Sequence, residues 1–231
     1  MPRGVTIGVL ARAPLPGACK KRLLAAHPPA WVSGLYAAML RDTIDGLQSV
    51  TADEYLVFAA PLDGDAGEAA ARSSVEVLAR HVPAPWEVIA QEVDDPGARM
   101  EHALSVMFER GASYGVLAGA DAPSAPTEPL EAALADDEKR AGVLVAPSED
   151  GGYYAIGMPR LEPSLVRDMP WSTPALMETT RLRCKSAGLA LVELPKWYDV
   201  DQPSDVLALI DELRRHPERA PRTAQFIVTS G

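Results

Sequence analysis

The chain has 231 residues, and 22 Lys and Arg against 32 Asp and Glu give it a formal net charge of −10. An acidic balance argues against a general nucleic-acid-binding protein, because sequence-independent binding needs excess Lys and Arg to neutralise phosphates. Cys19 and Cys184 form no CxxC pair, so neither a zinc site nor a disulfide framework is indicated. The first apolar run is shorter than the roughly 20 residues that span a bilayer. We therefore expect a soluble, cytoplasmic protein without a membrane span or a nucleic-acid partner.

Strand and helix patterns alternate along the chain. A short apolar, β-branched run predicts a strand at 5–11, and further short runs predict strands at 55–60, 87–91, 114–118, 143–146, 152–157 and 189–194. Apolar residues at helical spacing predict helices from about residue 29 and over 68–81, 98–110, 174–187 and 203–215. This alternation predicts an α/β fold, a mostly parallel sheet with helices on both faces. No linker divides it, so we expect one domain over residues 1–215 and a tail, 216–231, that is a surface strap or partly disordered.

The first predicted strand leads into a basic loop. Residues 1–41 contain six Lys and Arg and no Asp or Glu, which indicates a bound anion or, equally, a chance cluster on a solvated face. Within the loop, Gly17 lets the backbone approach a ligand, while Lys20 and Arg22 supply charge that suits a phosphate. The loop is neither a GK[ST] phosphate loop nor a GxGxxG fingerprint. It is a phosphate site or a solvated basic turn.

Acidic residues follow later strands, where ligands bind in open α/β sheets. Asp121 comes directly after the strand at 114–118, and its carboxylate suits Mg²⁺ or Mn²⁺; the alternative is a turn or a helix cap. Asp199 and Asp201 lie two residues apart, so an extended chain points both to the same side. They could bind the metal jointly, or Asp201 could cap the helix that begins at Pro203.

Two further segments have a structural and a functional interpretation. Asp150 is followed by two glycines, which makes an ordinary hairpin turn or lets a substrate approach while Asp150 orients its hydroxyl. Thr173 precedes Pro174 as a helix N-cap would. The four histidines form no HExxH or HxxxH pair and no GxSxG occurs, so a histidine zinc site and a serine hydrolase are not indicated.

Five motifs occur in a fixed order: ARAPLPGACKKRL, GADAP, SEDGGYYAIG, PWST and YDVDQPSDV. In this order they resemble a small glycosyltransferase-A-like (GT-A-like) family of nucleotide-diphospho-sugar transferases, most of whose members have no known function. The resemblance runs from about residue 5 to residue 213. It is more distant to 2-phospho-lactate and molybdenum-cofactor guanylyltransferases. It implies a single-domain, Rossmann-like, three-layer α/β/α sandwich that binds a nucleotide and a divalent metal.

The resemblance also implies roles for individual residues. Catalysis would fall to Asp150 and Lys20, and the metal, Mg²⁺ or Mn²⁺, to Asp121, Asp199 and Asp201. Gln91, Gly97, Arg99 and Met100 fit a QxxxxxGxRM stretch. The nucleotide-binding residues would be Ala11, Arg12, Gly17, Lys20, Arg22, Gln91 and Arg99. The acceptor-binding residues would be Gly151, Gly152, Tyr153, Trp171, Ser172 and Thr173. The chain departs from the pattern at Lys21, where Thr is common, and at Ser124, where Leu is common.

Three functions fit this set of residues. The first is metal-dependent transfer of a sugar from a nucleotide-diphospho-sugar to a small-molecule acceptor. The second is nucleotidyl transfer, in which a phosphorylated acceptor attacks an NTP and pyrophosphate leaves. The third is a non-catalytic nucleotide-binding domain, which we would expect to have lost an acid at position 121, 199 or 201. All three acids are present, which favours an enzyme.

Overall fold

A computed structural model of the chain describes residues 3–62 and 68–230. Its centre is one seven-stranded sheet in the order β3-β2-β1-β4-β6-β5-β7. All neighbouring strands pair in parallel except β6, which runs antiparallel to both β4 and β5. The strands are β1 (Arg3–Ala11), β2 (Glu54–Ala59), β3 (Glu87–Ala90), β4 (Ala112–Gly119), β5 (Val143–Pro147), β6 (Tyr153–Met158) and β7 (Leu191–Glu193).

Helices cover both faces of the sheet, which confirms the predicted single-domain α/β/α sandwich. One face packs against α1, where Ile7 and Tyr36 share a buried cluster; the other packs against α3, where Phe58 and Met107 share a second. In the described ranges no helix is long and apolar enough to span a membrane. The α-helices are α1 (Pro29–Gln48), α2 (Glu68–Leu78), α3 (Pro96–Glu109), α4 (Glu128–Leu134), α5 (Asp137–Arg140), α6 (Leu176–Ser186), α7 (Pro203–Arg215) and α8 (Pro221–Ser230).

The β5–β6 hairpin sets which loops meet at one edge of the sheet. Since β5 and β7 run parallel to each other and β4 and β5 both run antiparallel to β6, the carboxyl ends of β1, β4, β5 and β7 point the same way. The Asp-Gly-Gly segment is the hairpin turn, with Gly151 at a positive φ of 92°. Four of the five motifs therefore lie in loops that begin at this edge, whereas PWST lies in the segment that follows β6.

Several boundaries differ from the predictions. Helices α4 and α5 occupy a segment for which no element was predicted. Helix α6 begins at Leu176 with Ala175 as its N-cap residue, and the Thr173 hydroxyl instead donates to the Pro170 carbonyl at 2.8 Å. The N-cap interpretation of Thr173 is therefore wrong.

The segment after His216 is not a strap but ends in helix α8, which packs on α1. An added Cβ on Gly34 would lie 2.5 Å from the Phe226 ring, so the glycine lets the two helices approach. Asp42 of α1 is buried and accepts the backbone N–H groups of Arg222 at 3.0 Å and Thr223 at 2.8 Å. These are N–H groups in the first turn of α8, which have no partner within their own helix. Asp42 therefore caps α8 from a distant part of the chain.

We predict that Asp42→Ala lowers the free energy of unfolding by about 1 to 3 kcal/mol, because two amides at the start of α8 lose a charged acceptor. Urea denaturation followed by circular dichroism measures the change. The matched control is Asp45→Ala, one turn further along α1, where the carboxylate pairs with Arg41 and Arg222 at the surface and a smaller loss is expected. Equal losses in the two variants would contradict the capping role.

Candidate functional site

The loops that follow the carboxyl ends of the strands surround a cavity of about 490 Å³ that is open to solvent. Its wall combines the first loop, the ends of β1 and β4, the start of α3 and the segment before α7. Most of the residues predicted to bind nucleotide or metal meet here. Among the lining residues are Ala11, Arg12, Lys20, Arg22, Arg99, Asp121 and Asp201.

Lys20 is the centre of this arrangement. Its Nζ lies 2.6 Å from Oδ1 of Asp121 and 2.7 Å from Oδ1 of Asp201, and only 6% of its side chain is exposed. Burial alone would lower the pKa of Lys20, but the two carboxylates outweigh burial and hold that pKa above its usual value. One ammonium therefore joins the first loop, the loop after β4 and the segment before α7.

The backbone conformation of the first loop places Lys20 between the two carboxylates. Gly17 has a φ of 82°, which glycine adopts without steric cost. Lys20 itself is left-handed, with φ 46° and ψ 47°, immediately before a short 3₁₀ helix, Lys21–Ala25. The left-handed region costs a non-glycine residue roughly 1 kcal/mol, which the two ion pairs can offset. Buried Leu23 anchors the 3₁₀ turn, since its N–H donates to the Lys20 carbonyl at 2.9 Å.

Asp201 is available to Lys20 because another residue caps α7. Oδ2 of Asp205 accepts the N–H groups of Gln202 at 2.7 Å and Asp201 at 2.9 Å. The Asp201 carboxylate binds Lys20 through one oxygen and Arg22 through the other, at 3.0 Å. The interpretation of Asp201 as the helix cap is therefore wrong.

Asp199 lies among acids. Burial raises its pKa to about 6, with further contributions from the charges of Asp150, Asp201 and Asp121. Carboxylate oxygens are the donors that Mg²⁺ and Mn²⁺ prefer, and a cation would relieve the repulsion, so the donor chemistry fits a divalent metal. As they stand, no three Asp, Glu, His or Cys side chains within residues 3–62 and 68–230 are grouped to hold one. The Lys20 ammonium instead spans two of these carboxylates.

The QxxxxxGxRM stretch builds the opposite wall of the cavity. Gln91 is fully buried; its Nε2 donates to the Arg99 carbonyl at 2.8 Å, and its Oε1 accepts from Nε of Arg99 at 2.9 Å. Arg99 also donates to the Ala11 carbonyl at 3.4 Å. Burial, and then the nearby charge of Arg12, lower the pKa of Arg99 to about 10. The Arg99 guanidinium is therefore held in one position by its hydrogen bonds, and a bound anion would stabilise its charge.

None of the predicted acceptor residues is among the residues that line this cavity. One Asp150 oxygen accepts the Gly152 N–H at 2.9 Å and the Ser148 hydroxyl. The rings of Tyr153 and Trp171 meet edge to face at 6.3 Å. Ser172 and Thr173 are exposed, Ser172 at a φ of 59°. The absence of a side chain at Gly97 lets the Trp171 ring pack against the start of α3, since an added Cβ would lie 2.8 Å from the indole nitrogen.

Sequence reasoning missed two residues of the site. Tyr36 has the spacing of a core residue in α1, yet its hydroxyl accepts the Arg12 N–H at 3.0 Å. Asp94 pairs with Arg12 at 2.6 Å at the rim. Its position after β3, at the carboxyl edge, could have revealed it; nothing in the sequence distinguishes Tyr36 from its helix neighbours.

We predict that Asp199→Asn stabilises the fold at neutral pH. The raised pKa means that the folded chain holds the Asp199 proton more tightly than the unfolded chain, so ionisation weakens the fold as pH rises from about 4 to 6. The variant should exceed wild type in free energy of unfolding by about 1 to 2 kcal/mol at pH 7.5, a value that allows for partial solvent exposure. The difference should vanish near pH 4.

Urea denaturation in EDTA at the two pH values measures this difference. Asp137→Asn is the control, since 89% of the Asp137 side chain is exposed. If Asp199→Asn and wild type keep the same pH dependence, the electrostatic account of Asp199 is refuted.

Solved structures with a similar fold include proteins that are described as nucleotide-sugar or nucleotidyl transferases. A "putative nucleotide-diphospho-sugar transferase" from Desulfovibrio desulfuricans G20 is 27% identical, with a TM-score of 0.84 over 97% of this chain and 94% of that chain. A nucleotidyl transferase from Methanothermobacter thermautotrophicus is 18% identical, with a TM-score of 0.56 over 92% and 98%. Rv0371C from Mycobacterium tuberculosis H37Rv, in complex with manganese, is 20% identical, with a TM-score of 0.53 over 91% and 100%. Because the last two structures are only 18% and 20% identical to this chain, they show similarity in fold alone.

No curated protein sequence matches the chain significantly. A family profile matches residues 43–173, more than half of the chain, including Gln91, Arg99 and Asp121. The first loop and the Asp199–Asp201 segment lie outside that match. The resemblance to GT-A-like transferases of unknown function is thereby confirmed, and the chain belongs to the family described as "Uncharacterized protein conserved in bacteria (DUF2064)".

Proposed function

We propose that the chain is a metal-dependent transferase that takes a nucleotide-diphospho-sugar as donor and a small molecule as acceptor. The charge of the 490 Å³ cavity carries this proposal. Five basic residues line it against three acidic ones, although the whole chain has a net charge of −10. A basic cavity in an acidic protein favours an anionic ligand such as a diphosphate, and the volume suits a small-molecule site.

The basic residues would act on the donor. In glycosyl transfer the acceptor hydroxyl attacks the anomeric carbon, and the nucleoside diphosphate leaves with additional negative charge. Lys20 and Arg22, which already share Asp201, would neutralise that charge. Arg99, held by Gln91, would present fixed donors to the nucleotide. Because Gln91 holds Arg99 before the ligand arrives, this guanidinium would need little reorganisation during the reaction.

The carboxylates and the aromatic pair would act on the metal and the acceptor. Asp121, with Asp199 or Asp201, would hold Mg²⁺ or Mn²⁺, which supplies electrostatic stabilisation to the diphosphate. The manganese described for Rv0371C supports a divalent metal in this fold. Asp150 would orient or deprotonate the acceptor hydroxyl. The acceptor would lie against Gly151, Gly152, Tyr153, Trp171, Ser172 and Thr173.

Nucleotidyl transfer is the second candidate, supported by the likeness in fold to the Methanothermobacter nucleotidyl transferase. The same basic residues would then bind an NTP, and pyrophosphate would leave. A non-catalytic nucleotide-binding domain is less well supported, because Asp121 and Asp201 meet on one lysine and Asp199 lies nearby.

We predict that nucleotide-diphospho-sugars together with Mn²⁺ raise the thermal unfolding midpoint, since a ligand at 100 times its Kd stabilises the folded chain by about 2.7 kcal/mol. A panel of nucleotide-diphospho-sugars and NTPs, each with and without metal, identifies the donor class. Arg22→Ala should reduce the shift, whereas Arg214→Ala, 75% exposed on α7, should not. A shift with NTPs alone, followed by pyrophosphate release, would select nucleotidyl transfer. No shift with any nucleotide would contradict both.

We predict that Asp121→Asn lowers turnover at least about 100-fold with the donor that the panel identifies, because the variant loses a charged metal ligand but keeps its shape. Product formation is followed by mass spectrometry. Asp211→Asn, in an exposed ion pair on α7, serves as the control. Turnover equal to wild type in a folded Asp121→Asn variant would remove Asp121 from the proposed metal site.

A further inference from the structure

The Lys20 ammonium occupies the position between two carboxylates that a divalent cation would need. It contacts Oδ1 of Asp121 at 2.6 Å and Oδ1 of Asp201 at 2.7 Å, and its side chain is almost completely enclosed. The two acids come from loops far apart in the chain, and the contacts to the lysine hold them together. A metal that bound both acids would have to replace the ammonium or share its oxygens.

We propose that Lys20 is an internal counter-ion that competes with the divalent metal for Asp121 and Asp201. This regulation of the metal site rests on the proposed function. Metal binding to the chain alone is weak, and it becomes strong when the phosphates of a nucleotide offer the ammonium another partner. Linkage then requires that the metal raise nucleotide affinity by the same factor.

Electrostatics makes the competition unavoidable. A divalent ion on the same oxygens would lie within a few ångströms of the Lys20 ammonium, and like charges at that separation repel strongly in a partly buried site. The ammonium must therefore move for the metal to enter.

The two carboxylates differ in what they lose when Lys20 moves. Asp201 keeps Arg22, whose guanidinium contacts its second oxygen at 3.0 Å. For Asp121, Lys20 is the one ion-pair partner within the part of the chain that the structure describes. Departure of Lys20 would therefore expose an uncompensated carboxylate at position 121. Asp121 is the acid on which the competition acts most strongly.

The position of Lys20 also allows it to move toward a ligand. Its side chain is a flexible four-carbon stem, and it lines the same cavity as Arg12, Arg22 and Arg99. A diphosphate bound in that cavity would offer several anionic oxygens within the reach of one side-chain rotation. Because only a difference in affinity between two arrangements shifts their populations, the phosphates drive the shift by binding the displaced ammonium.

Manganese binding without nucleotide tests the proposal. Free Mn²⁺ is counted by electron paramagnetic resonance during titration of wild type, Lys20→Gln, Lys20→Arg and Lys185→Gln. We expect Lys20→Gln to bind Mn²⁺ at least about tenfold more tightly than wild type, because one competing charge is removed. Lys20→Arg keeps the charge and should remain weak, and Lys185→Gln removes an exposed lysine of α6 that does not line the cavity and should match wild type. Equal affinities of Lys20→Gln and wild type would overturn the proposal.

A second measurement uses wild type and covers the case in which Lys20→Gln does not fold. Reductive methylation at increasing Mn²⁺, read by mass spectrometry, reports the exposure of each lysine amine. The proposal predicts that saturating Mn²⁺ raises the modification rate of Lys20 relative to exposed Lys185 of α6, and an unchanged ratio would overturn it. Neither measurement includes a nucleotide, so failure of the proposed function, seen as no thermal shift with any nucleotide, is distinguishable from failure of the competition.

Discussion

One ion pair network organises the functional edge of this protein. The buried Lys20 ammonium contacts Oδ1 of Asp121 at 2.6 Å and Oδ1 of Asp201 at 2.7 Å. These contacts connect three loops that follow different strands of the sheet. Removing Lys20 would leave the Asp121 carboxylate without its ion-pair partner, whereas Asp201 would keep Arg22, and an uncompensated charge costs more than the pair contributes. The left-handed backbone of Lys20, the cap that Asp205 supplies to α7 and the buried anchor Leu23 all serve to place this one charge.

The same network explains how an acidic chain provides a basic cavity. Asp121 and Asp201 neutralise Lys20 and part of Arg22, while Arg99 lies opposite, locked by Gln91, with its pKa lowered by burial and by Arg12. Arg99 is thus held in place by hydrogen bonds to neutral oxygens, and its positive charge faces the cavity. A nucleotide diphosphate would supply the missing charge, and an acceptor at the neighbouring β5–β6 hairpin would lie beside it.

The sequence predicts local structure well and long-range contacts poorly. Buried strands such as β1 and β4 are evident as short apolar runs, and Asp121 stands out because it follows a strand at the carboxyl edge. The antiparallel course of β6 is not evident, since alternation is the same in either direction. The contacts of Lys20 with Asp201, 181 positions away, and of Asp42 with Thr223, also 181 positions away, depend on tertiary packing. The sequence therefore predicts a strap or a partly disordered tail where the structure has helix α8.

The most direct test of the central claim is a crystal structure of the chain with Mn²⁺ and the nucleotide that gives the largest thermal shift. The account predicts diphosphate density in the cavity at the first loop, within hydrogen-bonding distance of Lys20 and Arg22, and anomalous scattering from manganese beside Asp121. Nucleotide bound elsewhere, with Lys20 still bridging Asp121 and Asp201, would contradict it.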